Sequence, residues 1–328
     1  MSTRERVATL FMLHRPGADP AALSEFMAST GAGGFIVMGD NVVGTVDDLA
    51  QTTAALSVDP SLPALIGIDE EGGVVSRLDE DDLPAARQLK TEPPEATRAA
   101  FEVRADLIER GGANLNFGIV ADITGDPNSF IFDRVFGSTA EEAGARVEQA
   151  VAGEQGRVLS TLKHFPGHGR SEADSHVSIP STDVSYDEWL RTDAVPFQDG
   201  VAAGAEAVMF GHLAYTAVDA APASLSSAWH DILRDELGFD GLAVTDDMLM
   251  LQGNDLPEFQ DPVENAIRAV EAGNDVLVYV LAEDPAVSGV EPNALIDGVA
   301  AAVDSGRIDD DTIEDAVLRV LEARIELR

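Results

Sequence analysis

Eight short apolar runs recur along the chain at roughly regular spacing, with amphipathic segments between them. The runs are ATLFML at 8–13, GFIVMG at 34–39, ALIGID at 64–69 and ANLNFGIVAD at 113–122. They continue with VLSTLKH at 158–164, AEAVMFGH at 205–212, GLAVTDD at 241–247 and DVLVYV at 275–280. Within each run the apolar residues are mostly continuous rather than alternating, as strands covered on both faces require. The segments 46–57, 96–111, 139–155, 225–237 and 261–272 carry helical spacing. Two of them open on cap-like residues, Ser138 ahead of Thr139 and Glu141, and Ser226 ahead of a helical run. One more helix is predicted over 309–328.

Eight strands alternating with helices predict an α/β fold, a single (β/α)8 barrel over residues 1–328. The competing layout is a doubly wound open sheet. It is weakened because no GxGxxG follows the first strand. The chain has 328 residues, which is long for one core but ordinary for a barrel. A hydrophobic fraction of 45% is ample for that core. No Pro-, Gly- or Ser-rich linker marks a second domain.

Polar residues gather where these strands end. Asp69 ends the third run, Asp122 the fourth, Lys163 with His164 the fifth, His212 the sixth, and Asp246 with Asp247 the seventh. In a barrel the carboxyl ends of all strands meet on one face, where active sites are built. Asp69 or Asp247 alone reads equally well as a cap of the following helix. Five strands each delivering an ionisable group to one mouth is the pattern of a site.

Lysine usage points the same way. Lys90 and Lys163 are the only lysines; every other cationic side chain is arginine. An ammonium kept at the end of a buried strand offers a compact charge with rotatable donors, unlike a planar guanidinium. Three of the six histidines, His164, His168 and His176, fall in KHFPGHGRSEADSHVSIP. A metal site is one reading of that cluster, but neither HxH nor HExxH spacing supports it. Asp174 and His176 stand two residues apart, a spacing that projects both side chains to one face of an extended segment. The carboxylate then orients the imidazole and raises its basicity.

Charge and composition narrow the partners. With 59 acidic and 21 basic residues the net charge is −38, a field that repels nucleic acid and anionic membranes. The acids are scattered, as on a solvated surface suited to high salt, and say nothing about catalysis. Cysteine is absent, so disulfides and thiolate chemistry are excluded. The apolar stretch near the amino terminus is too short for a secretory signal, and no run reaches a membrane span. A soluble, cytoplasmic protein of undetermined oligomeric state is expected.

The segments GIDEEGGVVSRL, DRVFGS, LKHFPGHG, DSH, ASLSSAWHDILRDELGFDGLAVTDDM and AGNDVLV resemble those of glycoside hydrolase family 3. Within it they are most similar to the single-domain β-N-acetylhexosaminidase branch. The resemblance runs from about residue 8 to the carboxyl terminus. It implies a retaining glycosidase that releases terminal β-linked N-acetylglucosamine and needs no cofactor or metal. Asp246 then matches the nucleophile that forms the glycosyl-enzyme, while Asp174 and His176 match an acid/base dyad. Asp69, Arg77, Arg134, Lys163 and His164 match positions that hold the sugar, and His212 matches a pocket residue. The cations Lys163, Arg77 and Arg134 are expected to keep the nucleophile ionised. Retaining glycosidases ordinarily pair two carboxylates; here an imidazole replaces the second.

The chain departs from that family's pattern in places. Glu70, Val74 and Ser76 stand where Gln, Arg and Gln are common, Gly118-Ile119 where Ala-Pro is usual, and Arg170 where Asp is frequent. Val74 and Arg170 bear on the leaving-group side, so a peptidoglycan- or chitin-derived aglycone is an expectation rather than a reading of these residues. A phosphorylase, a β-glucosidase of the same family and a catalytically silent sugar-binding barrel are the alternatives.

The −38 charge itself generates a prediction. The screening length falls from about 10 Å at 0.1 M salt to about 3 Å at 1 M. Melting temperature should therefore rise across that range. A flat or falling profile would show that self-repulsion does not limit stability.

Overall fold

A computed structural model describes residues 1–171, 175, 178–254 and 256–327. Its main sheet has eight parallel strands: β1 (Phe11–Leu13), β2 (Gly34–Val37), β3 (Leu65–Ile68) and β4 (Leu115–Val120), then β5 (Leu159–Phe165), β6 (Ala207–Phe210), β7 (Leu242–Thr245) and β8 (Leu277–Tyr279). Consecutive strands pair in parallel from β1 to β7, and β8 pairs with β1 through Phe11–Leu277, Met12–Val278 and Leu13–Tyr279. The ring therefore needs only the β7–β8 seam to close. There the ladder shrinks to one bridge, Val244 with Val276, backed by Thr245 N–H donating to the Val276 carbonyl at 2.9 Å.

A side chain reinforces that seam. Fully buried Asp275 accepts from the Ala243 amide at 2.8 Å, from Arg234 at 2.7 Å and from Arg319 of the carboxyl-terminal helix (Asp310–Glu326) at 2.9 Å. Burial raises its carboxyl despite both guanidiniums.

The strands are buried on both faces along almost their whole length, as their unbroken apolar runs require. Helices Val46–Thr53, Ala140–Glu154 and Pro262–Ala272 fall within the segments of helical spacing, and Pro94–Arg110 starts two residues ahead of its segment. The fifth such segment forms Ser227–Asp231, capped by Ser226, and a wider turn over Ile232–Glu236. The first apolar run is divided between two elements. Ala8 and Thr9 belong to helix Thr3–Thr9, so β1 starts at Phe11. Ser2 and Glu5 form a reciprocal capping box there, and the apolar run straddles helix and strand without a break. The cap before Ala140 is Thr139, which accepts from the Glu142 amide. Among the described residues no helix is long and apolar enough to cross a membrane.

Two local devices place strand ends for the site. In β5 the pairing with β6 shifts register between Lys163 and Phe165. That irregularity lets two successive side chains, Lys163 and His164, line one cavity although a regular strand would send them to opposite faces. Phe165 packs instead against Trp189, Phe197, Phe210 and Trp229, edge-on, at centroid distances from 5.0 to 5.9 Å. On β4, Asn116 accepts from the Glu70 amide at 3.1 Å and donates to its carbonyl at 3.2 Å, tacking the chain just after β3 onto β4. Gly118 leaves the room: a Cβ there would lie 2.3 Å from the Asn116 amide nitrogen and 2.6 Å from the Glu70 carbonyl.

Asn116 also donates to fully buried Glu154, at 2.5 Å. Burial pushes the Glu154 carboxyl up from 4.5 to about 8, and the Glu206 charge adds to the rise. The folded state thus holds this proton more tightly than the unfolded chain. The stability it contributes is complete below about 4.5 and is lost as pH rises to about 8. Glu154→Gln, which keeps the neutral shape, should gain melting temperature over the wild type at about pH 8.5 and little at about pH 5. A difference that stays constant over that range would show that Glu154 is not the buried proton carrier.

Candidate functional site

The carboxyl ends of the strands surround a cavity of about 310 Å³ whose wall includes Asp69, Arg77, Arg134, Lys163, His164 and Asp246. Six of the nine sequence-predicted residues are therefore brought together. Asp174 and His176 lie outside the described residues, although Ser175 between them is buried and lines the cavity. His212 differs from the expectation. Its ring is fully buried behind the wall, with Nδ1 at 2.7 Å from the Ser224 hydroxyl and Nε2 donating to the Asp247 carbonyl at 2.9 Å.

One ion cluster organises the floor. The Lys163 ammonium, 3% exposed, sits 2.8 Å from Asp69 and 2.7 Å from Glu71. Arg134 grips Glu71 with two bonds, Nε–Oε2 at 2.9 Å and Nη2–Oε1 at 2.7 Å. Arg77 reaches the second oxygen of Asp69 at 3.2 Å. Burial pushes the Asp69 and Glu71 carboxyls up, but Lys163 with Arg77 and Arg134 more than reverses this, and both stay below their ordinary values. Lys163 is raised in turn, since Asp69 and Glu71 outweigh its desolvation. Asp69, Glu71 and Lys163 are therefore ionised at neutral pH.

His164 is anchored through Nδ1. Buried Asp122 can only accept, so Nδ1, at 2.7 Å, carries the proton. Nε2 then faces Arg134 at 3.4 Å.

Asp246 follows β7 directly, and its amide is held by the Phe210 carbonyl of β6 at 2.9 Å. Its Oδ1 accepts from the Asp247 amide at 2.8 Å, and among the described residues Oδ2 has no hydrogen bond. Burial raises its carboxyl, but the His164 and His212 rings, the Asp247 amide and Lys163 lower it further, so the group stays ionised. The arginines expected to do this are engaged with Asp69 and Glu71. The neighbouring Asp247 has a different task. Its Oδ1 accepts from the Leu249 and Val280 amides at 3.2 and 3.0 Å, tying the chain after β7 to the end of β8.

Glu71 was missed as a site residue. The available signal was the run of three carboxylates, Asp69-Glu70-Glu71, at a strand end facing the strand-borne lysine. Glu70 turns away from the cavity and accepts from Ser76 Oγ at 2.5 Å and from the Arg77 and Leu78 amides at 2.8 and 3.0 Å. It therefore folds the loop that carries Arg77. Burial, with Asp81 adding to it, pushes Glu70 up to about 7. Arg170, which sequence placed near the leaving group, is engaged with Asp193, Thr192 and Glu188. Val74 is 75% exposed beside Val75 of the cavity wall. Among the described residues no three His, Asp or Glu side chains are grouped to hold a metal ion.

Comparison with known proteins adds a second line. A β-hexosaminidase of Nitrosospira multiformis is 33% identical over 261 residues, spanning 75% of this chain and 72% of that protein. β-Hexosaminidase A of Pseudoalteromonas piscicida is 28% identical across 94% of this chain and 56% of its own length. Among solved structures, a family 3 β-N-acetylglucosaminidase from Paenibacillus sp. FPU-7 superposes with a TM-score of 0.90 at 31% identity. It covers this whole chain, which spans 64% of that one. A β-N-acetylhexosaminidase from Beutenbergia cavernae gives 0.83 at 28% identity, covering 99% of this chain and 98% of its own. The glycosyl hydrolase family 3 N terminal domain is matched over residues 2–323. A ring of eight parallel strands, joined at its last seam by a single bridge, and a family match over nearly the full length place the chain in glycosyl hydrolase family 3.

Proposed function

We propose that this chain, acting as one barrel domain in the cytoplasm, hydrolyses terminal β-linked N-acetylglucosaminides with retention of configuration. Its substrates are peptidoglycan- or chitin-derived fragments. The observation that carries the reading is Asp246, ionised, with one oxygen unengaged among the described residues, on the wall that also holds the Lys163–Asp69 array. Asp246 attacks the anomeric carbon while His176, held by Asp174, protonates the leaving oxygen. A glycosyl ester on Asp246 results. His176 then takes a proton from water, which attacks the same carbon and frees Asp246. Ser175, buried against the cavity, supports a role for this stretch. Asp69, Arg77, Arg134, Lys163 and His164 hold the sugar, and His212 steadies the chain at Asp247.

The charge arrangement favours water over phosphate as the acceptor. Arg77, Arg134 and Lys163 are each already bonded to Asp69 or Glu71, and Asp246 and Asp247 line the same cavity. An entering dianion would have to displace carboxylates from their partners.

Asp246→Asn should fold and bind sugar but lose turnover by roughly 10³-fold or more, since an amide cannot form the ester. Asp247→Ala should cost less in chemistry and more in stability, because it releases two backbone amides. If Asp247→Ala were dead while Asp246→Ala stayed active, the pair would be assigned backwards.

His176→Ala should slow substrates with poor leaving groups by roughly 10²–10⁴-fold. With an activated aryl leaving group, the glycosyl-enzyme should accumulate and azide should restore turnover, giving the β-glycosyl azide. Equal losses for good and poor leaving groups with no azide effect would remove His176 from the acid/base role.

A further inference from the structure

We propose that His168 is a substrate-contacting residue whose imidazole hydrogen-bonds a neutral polar group of the bound sugar. The proposal rests on the glycosidase reading above. His168 follows β5 and lines the same cavity as Asp246, yet its side chain is almost wholly buried. Its neighbourhood is rigid. The His168 amide donates to Asp122 at 2.6 Å, and a Cβ on Gly169 would lie 1.8 Å from the Ile123 carbonyl oxygen. Only glycine lets this turn lie so close to the chain that follows β4, and the turn fixes where the ring stands.

The ring itself is unsatisfied. Neither Nδ1 nor Nε2 has a hydrogen-bond partner among the described residues. By contrast His14, His164 and His212 each have partners on both nitrogens, and His230, away from the cavity, has one on Nδ1. Buried polar groups in folded proteins are normally paired, and an orphan on the wall of a binding cavity is one that a ligand can complete. Burial and the nearby His164 hold His168 below its ordinary value, so the ring is neutral. It then offers one donor and one acceptor. A sugar hydroxyl and an acetamide both present that same complementary pair.

Phe130 completes the environment. Its ring meets His168 edge-on at 4.8 Å, lines the cavity and is 37% exposed. An apolar ring face beside a hydrogen-bonding group suits a sugar, whose C–H face and polar substituents lie side by side. Reaching the imidazole nitrogens requires a side-chain shift, which the partly exposed Phe130 can give.

The test separates hydrogen bonding from packing. His168→Phe keeps the ring and its edge-on contacts but removes both nitrogens, while His168→Asn restores a donor and an acceptor. Each is measured on aryl β-N-acetylglucosaminide and aryl β-glucoside, with binding of N-acetylglucosamine followed by calorimetry in an Asp246→Asn background. His168→Phe should lose roughly tenfold or more in kcat/KM and in sugar affinity while melting like the wild type. His168→Asn should recover part of both. Loss confined to the N-acetylglucosaminide identifies the acetamide as the partner; loss on both substrates identifies a ring hydroxyl. Should His168→Phe fail to fold, His168→Asn and His168→Ala are compared, and equal activity of those two rejects the contact. Wild-type kcat/KM and sugar affinity in His168→Phe would reduce the residue to packing. An inactive wild type that does not bind N-acetylglucosamine would overturn the glycosidase reading, and the proposal with it.

Discussion

The site is organised around one buried ammonium. Lys163 cannot lose its hydration at the end of β5 without opposing charge, because an isolated ion in a protein interior costs several kcal/mol or more. Asp69 and Glu71 supply that charge from the chain just after β3, which reaches across β4 to do so. Arg77 then holds the second oxygen of Asp69, and Arg134 grips both oxygens of Glu71. Three segments far apart in sequence are thereby locked in one geometry, and the polar array exists before any substrate arrives. A prepaid arrangement of this kind suits recognition of hydroxyls, whose hydrogen bonds are directional and lose strength quickly when misaligned.

The same logic separates the two adjacent aspartates after β7. Asp246 and Asp247 are chemically identical, adjacent in sequence and both on the cavity wall, yet Asp247 ties two distant stretches of backbone while Asp246 accepts from one neighbouring amide. Asp247 accepts from the Leu249 and Val280 amides with a single oxygen, Oδ1. Asp246 accepts from one amide and is kept charged by its neighbours. Backbone geometry made the distinction, and resemblance to a family was the only sequence-level route to it.

Strand positions were legible because a parallel strand buried on both faces leaves an unbroken apolar run, and polar residues closing five of those runs marked one mouth. What escaped the sequence depended on three-dimensional pairing. Glu71 was hidden in a run of acids because a charge's partner is set by register between distant strands. His212 was expected at the wall but lies behind it, since a residue two positions past a strand can turn either way. Neighbouring Lys163 and His164 share one cavity only through a register shift that alternation rules would not foresee. The start of β1 was misjudged because Val7 to Leu13 reads as one apolar stretch whether its first part coils or extends.

The seam between β7 and β8 joins the outer shell of the molecule to its chemistry. Arg319 on the last helix holds Asp275, and Asp275 holds the Ala243 amide, three residues before Asp246 on the same chain. Two hydrogen bonds thus run from the outermost layer to the strand that carries the reactive carboxylate. Displacing the last helix would strain this strand through Arg319 and Asp275, and also the segment leading into β3, since Arg324 of the same helix donates to the Leu62 and Pro63 carbonyls.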